Sequence, residues 1–304
     1  MEERFRQVLL QQGYVMLELL GKGGYAVCYK VRSLKWNAIF ACKIVLMNNE
    51  QKNGSIESVH DEINVLVHLY HANLIHLYDN FIVDGYGYLI IDYCPNGSIK
   101  KFKKKGSQVT LALLSLFYQV LQGLHYLHQN GYAHHDIKSA NILLDEDRRP
   151  KLADFGMCKH YNEGKFCHSY KGSKQFACPE IHQHLPYDPF KGDIWSLGIC
   201  FFEVIFHKLP WPKNKELLQA SIIEGGPIIP PKIPFNLSKL LMRMTAMNPA
   251  SRPTALQCME FIDNERSQAH IPNLIQRRLK FAICIPTDVK RENNVLGSSK
   301  RYKI

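Results

Sequence analysis

The sequence predicts an α+β chain of two lobes: a small antiparallel β-sheet lobe with one important helix, then a larger, mainly helical lobe. Two observations carry this reading. Residues 14 to 47 alternate apolar and polar side chains and break at a cluster of glycines, the pattern of paired strands. After Pro95-Asn96-Gly97 the apolar residues recur at helical spacing instead, from Leu111 to Leu127 and from Asp193 to Phe206.

Taken in order, the strands of 14–47 form a hairpin around Gly21 to Gly24. Ile63, Leu66, Val67 and Leu69 give helical spacing over residues 57–69. Two strands follow, Ile75 to Val83 and Tyr88 to Tyr93, with Asp84-Gly85 between them. Thr110 is the expected N-cap of the long helix at Leu111. Prolines 227, 230, 231 and 234 mark a loop with shorter helices on either side. The divisions expected are 1–13 as an N-terminal extension, 14–94 and 95–263 as the two lobes, and 264–304 as a basic tail.

A chain of 304 residues with 46% apolar and 21% charged side chains has the composition of a soluble globular protein with a sizeable core. The most apolar stretch, Leu197 to Phe206, is about half the length of a membrane span, and Glu203 interrupts it. Met1-Glu2-Glu3-Arg4 does not begin a secretory signal. Nine cysteines without CxxC spacing point to reduced thiols, hence to the cytoplasm or nucleus. The net charge of +11 fits nucleic acid, lipid or an acidic partner; its location matters more than its sum.

The chemistry gathers in four places. Gly21-Lys22-Gly23-Gly24-Tyr25-Ala26 lies between two strands, where backbone N–H groups can approach phosphate. Alone it reads equally as a hairpin turn. Lys43 ends Ala41-Cys42-Lys43 amid apolar strand residues and needs a carboxylate partner. Glu62 on the next helix is the candidate; a solvent-facing lysine and glutamate are the alternative. The strongest signal is His134-His135-Asp136-Ile137-Lys138-Ser139-Ala140-Asn141, followed by Lys151-Leu152-Ala153-Asp154-Phe155-Gly156. Phosphoryl transfer needs positioning and charge neutralisation more than covalent chemistry. Asp136 can orient an incoming hydroxyl, Asp154 and Asn141 can hold magnesium through oxygen, and Lys138 can face the transferring phosphate.

These motifs, in this order, resemble the eukaryotic protein kinase family, serine/threonine type, over about Tyr14 to Ile262. Cys178-Pro179-Glu180 and Asp193-Ile194-Trp195-Ser196-Leu197-Gly198 extend the likeness. The resemblance implies the bilobal protein-kinase fold, protein substrates, and ATP with Mg2+, for which Mn2+ can substitute. It implies nucleotide contacts from the glycine loop through Ala26, from Cys28, Ala41 and Leu143, and from a hinge at Asp92 to Cys94 behind a gatekeeper, Ile91. It implies a buried Glu180–Arg252 pair and a catalytic loop braced by Asp193. Leu66, Leu77, His134 and Phe155 would stack between the lobes, although they read equally well as ordinary core. Lys138 and Ser173 are the residues that such kinases use for serine and threonine. Tyr187 to Asp193 is similar to calcium/calmodulin-dependent-type and testis-specific-type kinases.

The sequence departs from the family pattern at Ala26, at Cys178 and at His135, which replaces the arginine that receives the activation-loop phosphate. An imidazole is mostly neutral near pH 7. The expectation is a weak dependence on phosphorylation at Ser169, where the activating site often sits.

Residues 95–135 contain no acid, and Lys100-Lys101-Phe102-Lys103-Lys104-Lys105 lies within them. Ser98 and Ala140 stand where basophilic kinases carry acids. The expectation is indifference to upstream arginine and acceptance of acidic or phosphorylated partners; the plain alternative is a solvated lysine face. Leu274 to Ile283 is basic and partly amphipathic, which suits a surface-docked tail or a segment for a regulatory partner.

The main rival is a pseudokinase that binds nucleotide or partners without transfer, but Lys43, Asp136, Asn141 and Asp154 are all present. No zinc-finger, RNA-recognition or basic-zipper pattern supports nucleic-acid binding. Small-molecule and lipid kinases seldom carry the Pro179-Glu180 and Asp193-Ile194-Trp195 segments.

Overall fold

The computed structural model describes residues 1–23, 26–47, 55–101, 109–162, 164–231 and 233–268. Gly24, Lys103 to Lys105 and the segment Leu274 to Ile283 fall outside them. Met1–Ile262 form one compact unit, and a second begins at Asp263.

The chain opens with a helix that the sequence reading did not anticipate, α1 (Glu2–Gln11). Its Phe5, Val8 and Leu9 recur at helical spacing and are buried. They share a core with Tyr14, Met16 and Tyr88, and the Phe5 ring meets Tyr86 edge-on at 5.0 Å. Each such burial contributes about 1.5–3 kcal/mol, so α1 is part of the first lobe's core.

Five strands follow: β1 (Tyr14–Lys22), β2 (Ala26–Ser33), β3 (Ile39–Leu46), β4 (Leu77–Val83) and β5 (Tyr86–Asp92). They form one antiparallel sheet in the order β1-β2-β3-β5-β4. Asp84 (φ 55°) and Gly85 (φ 77°) make the two-residue turn between β4 and β5, whose twist matches that of the strands. The one helix inserted in the sheet is α2 (Ser55–His68).

In the second lobe the long helix is α3 (Val109–Gln129), so Thr110 lies inside it and is not its N-cap. Four short strands come next: β6 (Tyr132–Ala133), β7 (Ile142–Leu144), β8 (Pro150–Leu152) and β9 (Lys159–His160). β6 pairs with β9 and β7 with β8, which folds the chain around residues 134–156. Then come α4 (Pro179–His182), α5 (Pro189–Phe206), α6 (Lys215–Gly225), α7 (Phe235–Met244) and α8 (Ala255–Gln268). Helix α5 starts at Pro189 rather than Asp193, because Asp188 accepts the N–H groups of Phe190 and Lys191 and caps it. The proline-rich stretch lies between α6 and α7, as expected.

Helix α5 is the axle of this lobe. Gly192 to Val204 are buried without interruption, and Phe201 stacks on Phe117 of α3 with ring centres 3.7 Å apart. Leu66, Leu77 and Phe155 belong to the same continuous core, so the lobes are joined by apolar contact. No helix among the described residues is long and apolar enough to cross a membrane.

Arg252, 1% exposed, anchors the far end of the lobe. Its guanidinium forks onto Glu180 at 2.9 and 2.5 Å, donates to the carbonyls of Ala246 and Met247, and lies 5.0 Å from the Trp195 ring centre. Cys178, beside Glu180, is a fully buried small thiol whose ionisation burial pushes up. Removing either partner strands a charge in the interior. Glu180→Ala is expected to lose on the order of 3–5 kcal/mol of stability, measured by the urea midpoint at constant m. Arg4→Ala, which removes the exposed pair to Asp84, is expected to leave that midpoint in place.

Candidate active site

Strand register puts the first set of candidate residues together. Directly opposed residues share a face of an antiparallel sheet. Cys28 faces Lys43 across β2 and β3, and Ala41 faces Ile91 across β3 and β5. These four side chains therefore line one face, beside the turn that holds Gly21, Lys22, Gly23 and Ala26. That turn is tight, with Gly23 N–H bonded to Ala26 O at 2.8 Å.

Lys43 reaches from this face to α2 and to the second lobe. Its Nζ donates to Glu62 Oε1 and Oε2 at 2.7 and 2.8 Å and to Asp154 Oδ1 at 2.7 Å. Glu62 is buried. Burial opposes the charge on Lys43, yet the two carboxylates outweigh it and hold its pKa above the usual lysine value. Burial likewise opposes the charge on Asp154, and Lys43 outweighs it, so the carboxyl sits below its ordinary range. One cation thus ties a strand, a helix and the Asp154 loop.

The second set is built on residues 134–141. Asp193 projects from α5, 2% exposed, and accepts the backbone N–H of His134 at 2.7 Å and of His135 at 3.0 Å. Its Oδ2 also meets His128 Nε2 at 3.0 Å. These bonds hold His135 at φ 63°, a left-handed conformation rare for a side chain of this size. Asp154 is left-handed too, at φ 67°.

The turn presents Asp136 to three donors. Oδ1 accepts from Ser173 N–H at 2.9 Å; Oδ2 accepts from Lys138 Nζ at 2.5 Å and Asn141 Nδ2 at 3.0 Å. Lys138 also donates to Ser173 Oγ at 3.1 Å. Since Nδ2 of Asn141 is committed to Asp136, its Oδ1 is the oxygen able to ligate a cation. Gly172 explains why Ser173 comes so near: a Cβ there would stand 2.2 Å from His135 O. His134 and Phe155 are buried with ring centres 5.2 Å apart, next to the core that holds Leu66 and Leu77.

Asp92, Cys94 and Leu143 lie where the lobes meet. Asp92 accepts from His76 N–H at 2.8 Å, Tyr78 Oη at 2.9 Å and Lys151 Nζ at 2.9 Å. Lys151 belongs to β8, beside Leu143 in β7. Burial pushes the Cys94 thiol up to about 12 and the Cys28 thiol up to about 11, so both stay protonated near neutral pH. The sequence reading missed the Lys151–Asp92 pair. A lysine amid apolar strand residues was the signal that found Lys43, and it applies equally to Lys151.

His135 departs furthest from expectation. Its ring lies between two tyrosines, with Nε2 3.0 Å from Tyr161 Oη and Nδ1 3.1 Å from Tyr187 Oη. Tyr161 Oη donates to Cys167 Sγ at 3.3 Å, and Cys167 Sγ to Ser169 O at 3.0 Å. A neutral ring satisfies the circuit in either tautomer: Tyr187 donates to Nδ1 while Nε2 donates to Tyr161, or Nδ1 donates to Tyr187, whose hydroxyl donates to Ser169 O at 3.3 Å, while Tyr161 donates to Nε2. Burial, the largest influence, lowers the His135 pKa and agrees with the neutral form. Cys167 and Tyr187 also exchange backbone bonds at 2.8 and 3.0 Å. The segment carrying exposed Ser169 is therefore held by uncharged bonds. Neither tyrosine could be chosen from sequence, because they stand 26 and 52 positions from His135.

Of the basic run, Lys100 pairs with buried Glu203 at 3.4 Å, which also accepts from Ser139; Lys101 is exposed, and Lys103 to Lys105 are not described. Among the described residues no cluster of three or more His, Cys, Asp or Glu forms a metal cage. The Asp154 carboxylate and the Asn141 amide oxygen, both within the 134–156 stretch, are hard oxygens. They fit Mg2+ that takes its remaining ligands from phosphate and water.

This fold and this site define a class. The chain belongs to the protein kinase domain family, whose model matches residues 14–261. It is 34% identical to the mitogen-activated protein kinase kinase kinase YODA of Arabidopsis thaliana over 80% of its length, which is 28% of that relative. It is 29% identical to CBL-interacting serine/threonine-protein kinase 12 of Arabidopsis thaliana over 84% of its length, 53% of the relative. It is 28% identical to NUAK family SNF1-like kinase 2 of Homo sapiens over 81% of its length, 39% of the relative. The chain thus spans from about a quarter to about half the length of these relatives.

The buried Asp193 makes the stability of this site depend on pH. Burial alone would raise its pKa, but His128 and the neighbouring histidines outweigh burial and lower it. A lowered folded pKa contributes stability that is present above the unfolded value, about 3.9, and is lost as pH falls through the folded one. Asp193→Asn is expected to be less stable than the parent chain above about pH 4, with the gap closing in more acid solution, as read by urea unfolding across pH.

Proposed function

We propose that the chain transfers the γ-phosphoryl group of ATP to serine and threonine hydroxyls of protein substrates. The observation that carries this reading is the Asp136 carboxylate aimed by Asn141, Lys138 and Ser173, together with Lys43 held by both Glu62 and Asp154.

Each residue has a part that follows from its surroundings. Asp136 accepts a hydrogen bond from the incoming hydroxyl, orients it and takes its proton as the new bond forms. Lys138, beside both Asp136 and Ser173, puts positive charge where the transferring phosphoryl oxygens gather. Lys43, locked by Glu62, meets the α- and β-phosphates. The glycine turn offers backbone N–H groups to phosphate, and Asp92 to Cys94 offer backbone groups to adenine, with Ile91 and Leu143 flanking the ring. Asp154 and Asn141 would hold Mg2+, with Mn2+ as a substitute, and that cation neutralises phosphate charge when bound.

The uncharged circuit around His135 supports a view of regulation as well. Because His135, Tyr161, Tyr187 and Cys167 already hold the backbone at Ser169, transfer does not require a phosphate on Ser169.

The test is transfer of labelled phosphate from ATP and magnesium to a generic protein. Phosphoserine and phosphothreonine are expected from the parent chain. Asp136→Asn should slow transfer by roughly 10²–10⁴ while nucleotide binding persists. Asp154→Ala should abolish transfer, and Ser169→Ala should retain it. Nucleotide binding by the parent without transfer would mark a pseudokinase instead.

A further inference from the structure

Next to Ser173 the surface opens into a groove of about 590 Å³ between the segment 168–175 and the start of α6. Ile181, Leu185 and Leu218 give it an apolar floor. Its polar rim carries Lys174, Lys213, His168, His182 and His184, and among the described residues no aspartate or glutamate lines it. Two side chains on this rim are permanent cations, Lys174 and Lys213. Both are exposed, and neither has an ion pair among those found for the described residues.

Two carboxylates next in sequence to lining residues are committed elsewhere. Glu180 is bound to Arg252, and Asp188 caps α5. Glu216 sits on the first turn of α6 and does not line the groove. The cationic rim is also held in place. His182 Nε2 donates to Lys174 O at 2.9 Å, and Gln219 Nε2 donates to His182 O at 3.1 Å. Lys174 thus stands on a backbone clamped between α4 and α6, although its side chain is free to reach.

The groove begins one residue past Ser173, whose N–H and hydroxyl contact Asp136 and Lys138 at 2.9 and 3.1 Å. A polypeptide that places a hydroxyl at Asp136 therefore lays neighbouring residues along this rim. Two unneutralised cations over an apolar floor form a field that favours anionic side chains and repels lysine and arginine.

We propose that this groove is a specificity subsite that selects protein substrates carrying anionic side chains, as glutamate, aspartate or phosphoserine, within a few residues of the target hydroxyl. The proposal rests on the kinase reading only for which hydroxyl reacts; recognition of the anionic segment needs no transfer.

The test uses the whole chain and labelled peptides that share one serine. Glutamate, phosphoserine, glutamine or lysine is placed at neighbouring positions, first on one side and then on the other. Binding is read by fluorescence anisotropy and transfer by kcat/KM. The expected result is a preference of about tenfold for glutamate over glutamine on one side of the serine, the size of two exposed ion pairs, weakening with added salt. Phosphoserine peptides should match or exceed glutamate if phosphate is the preferred source of charge, and fall below it if carboxylate is. The double variant Lys174→Glu with Lys213→Glu should reverse the order, so that lysine peptides bind best. The double variant Arg32→Glu with Lys35→Glu makes the same change in net charge on exposed positions of the other lobe, and should leave the order as it was.

Equal binding of glutamate and glutamine peptides, or a preference that survives the groove variant, overturns the subsite. So does a preference lost equally in both double variants, since net charge alone would then explain it. Anionic peptides that bind in the groove without being phosphorylated would uphold the subsite and overturn the kinase reading. Transfer without charge preference would do the reverse.

Discussion

One buried carboxylate governs the geometry of the whole site. Asp193 hangs from α5, the most enclosed helix, and gathers two consecutive backbone N–H groups and a histidine ring. An isolated charge at such depth would be costly, so it persists only because three donors surround it. In return it forces the chain at His135 into a left-handed turn. That turn sends Asp136 in the direction where Lys138, Asn141 and Ser173 can all reach it. A site on a loop is only as well placed as the rigid element behind it, and here that element is a helix packed on all sides.

Charge is used in two ways across the molecule. In the site, Lys43 has Glu62 and Asp154, Lys138 has Asp136, and Lys151 has Asp92 within bonding distance. The Lys43 and Lys151 pairs span elements that are far apart in sequence and set their spacing. The stretch from Cys167 to Ser169 is held by a different principle. Its links run through tyrosine hydroxyls, a thiol and a neutral imidazole. Bonds of that kind need no added phosphate and are screened little by salt. Beyond that segment lies the cationic rim of Lys174 and Lys213, where charge is left open to solvent and to whatever polypeptide approaches.

Much of this was legible from the chain alone, for identifiable reasons. Helix α2 and strand β4 stood out because their period agrees with burial on one side, and β5 because a short apolar run agrees with burial on both. Asp136, Asn141 and Asp154 stood out because their residue types and order match a phosphoryl-transfer site. Helix α1 escaped notice because ten residues carry only one short apolar stripe. The start of α5 was set four residues late, at Asp193, because the apolar run begins there while the cap, Asp188, lies before a proline. Lys151 carried the same local signal as Lys43, but its partner Asp92 did not, because that pairing depends on β8 meeting β5.

The sequence by itself determined the class of fold, the order of its longer strands and helices and the set of groups whose chemistry suits binding and transfer of a phosphoryl group. Those follow from periodicity and from residue chemistry, which are properties of short segments. Tertiary structure alone decided what His135 does in place of an arginine, and which lysines remain open to a partner. Both depend on distances between residues tens of positions apart, on which neighbours desolvate a ring, and on which carboxylates are already engaged. No local pattern records these relations; they exist only once α5 and the segments around it have packed.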